Sequence, residues 1–133
     1  MSREFLSRYT SLGVGGEADV TIVKNTDDLC YKSGDTVIGR GTNVLVSDEG
    51  VRGRVLVMRN VGAEWQDCRA VVESGTPLAA LAREACSRGA GGLEWATGIP
   101  GSLGLAIFMR FLIFKYKKLF RIIKICEGNF VLS

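Results

Sequence analysis

The sequence contains no histidine. That absence excludes a Ser-His-Asp triad, a Cys-His pair and any histidine-based metal site. The four cysteines, at 30, 68, 86 and 126, never fall in C-x-x-C spacing, so the framework for a structural zinc ion is missing and no metal site is read. They read instead as free thiols of a reducing compartment, small and partly buried. Proline occurs only twice, too seldom for a rigid linker. Met1–Arg8 carries charge and lacks a long apolar core, so no secretory leader is read there. Nor is there a run long enough to cross a bilayer: Leu105–Phe114 is the longest before repeated charges, and it contains Arg110. Any chemistry must come from a bound cofactor or from side chains other than histidine.

What the chain does have is glycine and apolar bulk. It holds 133 residues, 47% of them hydrophobic, enough for one modest domain with its own core. The net charge of +3 conceals a break. Residues 1–104 carry 11 Lys+Arg against 13 Asp+Glu, whereas residues 105–133 carry 6 against 1. Sixteen of the 17 glycines precede residue 105, and five of the six phenylalanines follow it. The last 29 residues therefore differ in character from the first 104.

In the first part, Ala18–Val23 alternates and is β-branched, which predicts a strand. Thr26-Asp27-Asp28 reads as the start of a short helix over 27–32, closed by the turn signal Ser33-Gly34-Asp35. Thr36–Ile38, Arg54–Met58 and Ala70–Glu73 read as further strands, and Val44–Ser47 as an extended apolar segment. The clearest element is a helix over 77–88, with Thr76 as its cap, Pro77 in its first turn and Gly89 at its end. Leu78, Leu81, Ala82 and Ala85 fall on one face of that helix and should pack on a sheet. Short strands covered by one or two helices make an α+β fold.

Two glycine-rich loops stand out. Gly39-Arg40-Gly41-Thr42-Asn43-Val44-Leu45 leaves a strand, and its glycines let backbone N–H groups turn toward a ligand. Thr42 and Asn43 add hydroxyl and amide donors and Arg40 a positive charge, which together suit a pyrophosphate. The loop lacks the third glycine of a dinucleotide-binding fingerprint and the Gly-Lys-Ser/Thr of a P-loop; taken alone, it reads better as a plain tight turn. Gly98-Ile99-Pro100-Gly101-Ser102-Leu103-Gly104 runs into a helix that Ser102 could cap, and amides at a helix start favour an anion. Two such loops in one small chain point to a phosphate-bearing ligand.

The order of motifs resembles a family. Tyr9–Asp19 (YTSLGVGGEAD) is similar to its T-x-x-x-x-G-G-x-A-x opening, and Gly39–Leu45 to its G-x-G-S/T-N-L/V-L flavin loop. Ser47–Gly53 resembles the segment that follows, and Gly91–Gly104 its G-L-E-F-x-x-G-I-P-G-x-V/L-G signature. The family is the UDP-N-acetylenolpyruvoylglucosamine reductases, cytoplasmic bacterial flavoenzymes of peptidoglycan synthesis. The resemblance implies the FAD-binding fold of the vanillyl-alcohol-oxidase (PCMH) type, first subdomain plus the start of the second. It implies FAD as cofactor, NADPH as reductant and a UDP-sugar as substrate, with no nucleic-acid partner. By the same resemblance Gly39, Gly41, Thr42 and Asn43 hold the FAD pyrophosphate. Ile99, Pro100, Gly101, Ser102 and Gly104 line the cofactor from its other side. Arg40, Val44, Leu45 and Gly98 complete the set. The segments expected are 1–62, first subdomain; 63–109, start of the second; and 110–133, a basic apolar tail outside the family.

The likeness stops after Met109: Arg110 stands where the family has Asn, and no position here matches its catalytic arginine, serine general acid or C-terminal glutamate. Three readings of the tail are open. As a helix over 105–125 it would set Arg110, Lys117, Arg121 and Lys124 on one face, suited to a membrane surface or a partner. As a nucleic-acid arm it carries too much Ile, Leu and Phe. The abrupt break favours the third reading, a frameshift or truncation that replaces the family's continuation and leaves the chain without turnover.

Overall fold

The computed structural model describes residues 1–67, 69–112, 123–126 and 129–132. It divides into two compact units, Met1–Arg59 and Asn60–Ser133.

The first unit is built on a four-stranded sheet of β1 (Ser2–Phe5), β2 (Glu17–Val23), β3 (Thr36–Ile38) and β4 (Arg54–Met58), in the order β1-β2-β4-β3. β1 runs antiparallel to β2, while β2, β4 and β3 are mutually parallel. A strand covered on both faces needs a continuous apolar run. β4 has one: Val55, Leu56, Val57 and Met58 are all buried. Val55 and Val57 join Leu6, Ala18, Val20 and Ile38 in one cluster, and Leu56 and Met58 join Val23 in another. Alternation along the strand separates the two faces. At the amino ends of β3 and β4 the Arg54 guanidinium pairs with the Asp35 carboxylate and also donates to the Cys30 carbonyl.

The second unit has a fully antiparallel sheet of β5 (Ala63–Gln66), β6 (Arg69–Val72), β7 (Ile123–Cys126) and β8 (Asn129–Leu132), in the order β5-β6-β8-β7. Its helices are α1 (Leu78–Ser87) and α2 (Leu103–Leu112). The predicted face of α1, Leu78, Leu81, Ala82 and Ala85, is the buried one. It packs in a core with Ala70, Val72, Leu93, Ala96, Leu103 and Ile107.

Several expectations are corrected. Thr76 does not cap α1: its Oγ1 exchanges hydrogen bonds with the Gly62 backbone, and Pro77 stands at the cap position. The helix expected over 27–32 is a single 3-10 turn, Thr26–Asp28. Cys30 and Cys86 are exposed, not partly buried. The long helix over 105–125 does not reach its expected end: Ile123–Cys126, with Lys124, is the strand β7. Lys117 and Arg121 lie outside the described residues. Among the described residues no helix is long and apolar enough to cross a membrane.

Candidate functional site

The first glycine loop leaves β3 at its carboxyl end, beside the carboxyl end of β4, with which β3 pairs through Ile38↔Val57. Its conformation is imposed by close packing. Gly41 has φ +69°, and a Cβ there would stand 1.8 Å from the Tyr9 carbonyl oxygen. Only glycine fits both conditions. The Gly41 carbonyl accepts from the Ser11 backbone N–H and from Ser11 Oγ, both at 2.9 Å. Tyr9 is anchored in turn, its phenol donating to Glu4 Oε2 at 2.6 Å. That carboxylate raises the Tyr9 hydroxyl above its ordinary range, while hydrogen bonds from Ser2 and Tyr9 hold Glu4 low. The Gly16 amide donates to the Ser47 carbonyl at 2.9 Å and the Val51 amide to the Glu17 carbonyl at 3.2 Å. Three motifs far apart in sequence, Tyr9–Asp19, Gly39–Leu45 and Ser47–Gly53, thus form one cluster inside the first unit. Arg40, Asn43 and Leu45 are exposed there, and Thr42 and Val44 half-buried.

One residue at this site was not anticipated from the motifs. Arg59 follows β4 as Gly39 follows β3, and its Nη1 donates to the Gly39 carbonyl at 2.7 Å and to the Met58 carbonyl at 3.1 Å. Burial, then the like charge of Arg40, pulls its guanidinium below the ordinary value. Among the described residues, neither Arg40 nor Arg59 has a carboxylate partner. The available signal was positional: ligands favour the carboxyl ends of parallel strands, and a basic residue directly after such a strand stands there.

The second loop belongs to the second unit and is held differently. The Leu103 and Gly104 amides, the first of α2, donate to the Thr76 and Ser74 carbonyls at 2.9 and 2.8 Å. These two donors are therefore satisfied inside the protein. A Cβ on Gly104 would approach the Ser74 Cβ to 2.9 Å, so its glycine serves close packing. The Gly101 carbonyl accepts from the Leu78 amide at 3.0 Å, and the Ile99 amide donates to the Ala96 carbonyl at 3.1 Å. Ser102 is buried, Gly101 is half-buried, and Gly98, Ile99 and Pro100 are exposed. The Ser74–Thr76 turn that receives α2 is fixed by a second unanticipated residue, the fully buried Asn60. Its side chain accepts from the Gly75 amide at 3.2 Å and donates to Glu73 at 2.7 Å.

With both loops placed, the chain can be set beside known proteins. A UDP-N-acetylenolpyruvoylglucosamine reductase of Prochlorococcus marinus (strain NATL2A) is 40% identical over 116 residues, covering 78% of this chain and 40% of that protein. A UDP-N-acetylenolpyruvoylglucosamine reductase 1 of Bacillus cereus (strain ATCC 14579) is 42% identical over 118 residues, covering 80% and 39%. The chain belongs to the UDP-N-acetylenolpyruvoylglucosamine reductase family. A crystal structure of the family from Thermus caldophilus superposes with a TM-score of 0.66 at 37% identity, over 77% of this chain and 39% of that one. No family model matches the sequence. The chain spans about two fifths of the length of the reductases it matches.

Proposed function

We propose that this chain is the flavin-binding part of a UDP-N-acetylenolpyruvoylglucosamine reductase. In this reading Gly39, Gly41, Thr42 and Asn43 hold the FAD pyrophosphate, with Arg40, Val44 and Leu45 beside it. Gly98, Ile99, Pro100, Gly101, Ser102 and Gly104 form a second contact with the cofactor. One observation carries the reading. The loop with the family's flavin motif sits at the carboxyl ends of parallel strands, next to two guanidiniums without a carboxylate partner among the described residues. A dinucleotide diphosphate has the complementary charge and acceptor oxygens. The second loop contributes less to anion binding, since the Leu103 and Gly104 amides are already bonded; its exposed Ile99 and Pro100 suit an apolar ring or ribose contact.

When bound, FAD supplies the hydride chemistry, which in the full-length family runs from NADPH to the enolpyruvyl group of a UDP-linked sugar and yields UDP-N-acetylmuramate. The residues of this chain bind and orient; none is proposed as catalytic, and the cytoplasm is the proposed location. The test supplies the purified chain with FAD, NADPH and the UDP-linked enolpyruvyl sugar. FAD is expected to co-elute with the protein in gel filtration, with no substrate-dependent NADPH oxidation. Sustained turnover would contradict the absence of catalytic groups, and FAD eluting wholly free would contradict the binding role.

A further inference from the structure

β2, β4 and β3 lie side by side and parallel, so their carboxyl ends fall along one edge of the first unit. A basic residue follows closely at each end: Lys24 directly after β2, Arg59 directly after β4, and Arg40 two residues after β3. The register Val23↔Met58 sets Lys24 level with Arg59, and neighbouring strands are spaced by about 4.8 Å. Among the described residues none of the three has a carboxylate partner. Arg59 is the middle one and is half-buried. Only its Nη1 has protein acceptors among the described residues, the Gly39 and Met58 carbonyls; Nε and Nη2 have none.

We propose that Arg59 is a diphosphate ligand of the cofactor site, closing a cationic rim with Arg40 and Lys24 while its Nη1 fixes the glycine loop through the Gly39 carbonyl. The ligand's identity rests on the flavin reading above; the anion chemistry rests on the rim itself. A partly buried guanidinium beside a second cation is costly to keep charged unless an anion arrives. The remaining face of its planar fork suits two phosphate oxygens. The glycine loop then supplies the shape of the site, and Arg59 joins that shape to the charge that a diphosphate requires. No part of the motif that marks the loop includes this residue.

The test titrates the full chain with ADP, which carries the diphosphate without the flavin, and with FAD. Arg59→Met, Arg59→Lys and, as a charge control on the exposed side of α1, Arg83→Met are compared with wild type. Arg59→Met is expected to weaken both ligands by about tenfold or more and to flatten the salt dependence of binding. Arg59→Lys should keep that salt dependence at intermediate affinity, which loss of packing alone would not produce. Arg83→Met should bind as wild type does. If wild type binds both ligands and Arg59→Met matches Arg83→Met, the role of Arg59 is overturned while the flavin reading stands. If ADP binds in an Arg59-dependent way and FAD does not bind, the anion site stands and the flavin reading falls. Binding of neither ligand overturns both.

Discussion

Gly41 shows how much of the site was legible residue by residue. A glycine between a strand and Thr-Asn marks a loop that approaches something closely, and here the close neighbour is the Tyr9 carbonyl of the protein itself. Arg59 and Asn60 were not legible: a lone arginine and a lone asparagine after an apolar run carry no spacing signal, and their partners Gly39 and Gly75 lie about twenty and fifteen positions away. Thr76 was misread for a related reason. A hydroxyl ahead of a helix caps it only from the cap position and with its oxygen free to accept; Pro77 holds that position, and the Thr76 oxygen accepts from the Gly62 amide. The Asp35–Arg54 pair yields a prediction at this scale. The hydrogen bond from Arg54 holds the Asp35 carboxyl below its usual value. A lowered folded-state pKa contributes stability above the unfolded value, about 3.9, which is lost as pH falls through the folded one. Asp35→Asn should therefore melt below wild type at neutral pH, and the two melting temperatures should converge in acid below the carboxylate range. A gap that persists unchanged into strong acid would show that the pair contributes nothing through charge.

Among the elements, those with a single strong period were read closely. β3 and β4 fall where β-branched runs predicted them, and α1 buries the predicted stripe. Leu81 is fully buried in that stripe, so Leu81→Ala should destabilise the second unit by about 2–5 kcal/mol in urea unfolding, against less than about 0.5 kcal/mol for the exposed Arg83→Ala. Equal small effects would mean that α1 does not pack on the sheet. The elements that went unread have physical reasons. β1 is short and polar, with the sequence Ser-Arg-Glu-Phe, and owes its form to pairing with β2. β7 and β8 are four residues each, and Ile123-Lys124-Ile125-Cys126 is too short for its period to separate strand from helix. The deciding influence there is tertiary: β8 pairs with β6, which a local pattern does not contain.

For the molecule as a whole, the composition break near residue 105 and the division into compact units are different boundaries. The units part between Arg59 and Asn60, while the glycine-poor, basic stretch begins inside α2 and supplies β7 and β8 to the second sheet. Family membership was legible because four motifs keep their order across most of the chain. The function of the basic stretch was not, because it has no counterpart among those motifs. The central claim is that the glycine loop makes this chain a flavin binder, and a fluorescence titration of FAD against wild type and Gly41→Ala tests it most directly. The variant places a Cβ against the Tyr9 carbonyl in a backbone conformation that alanine disfavours, at a cost of about 1–3 kcal/mol in strain alone. The account predicts saturable one-to-one quenching by the wild-type chain and its loss in Gly41→Ala; absence of saturable binding by wild type, or equal binding by a folded variant, would contradict it.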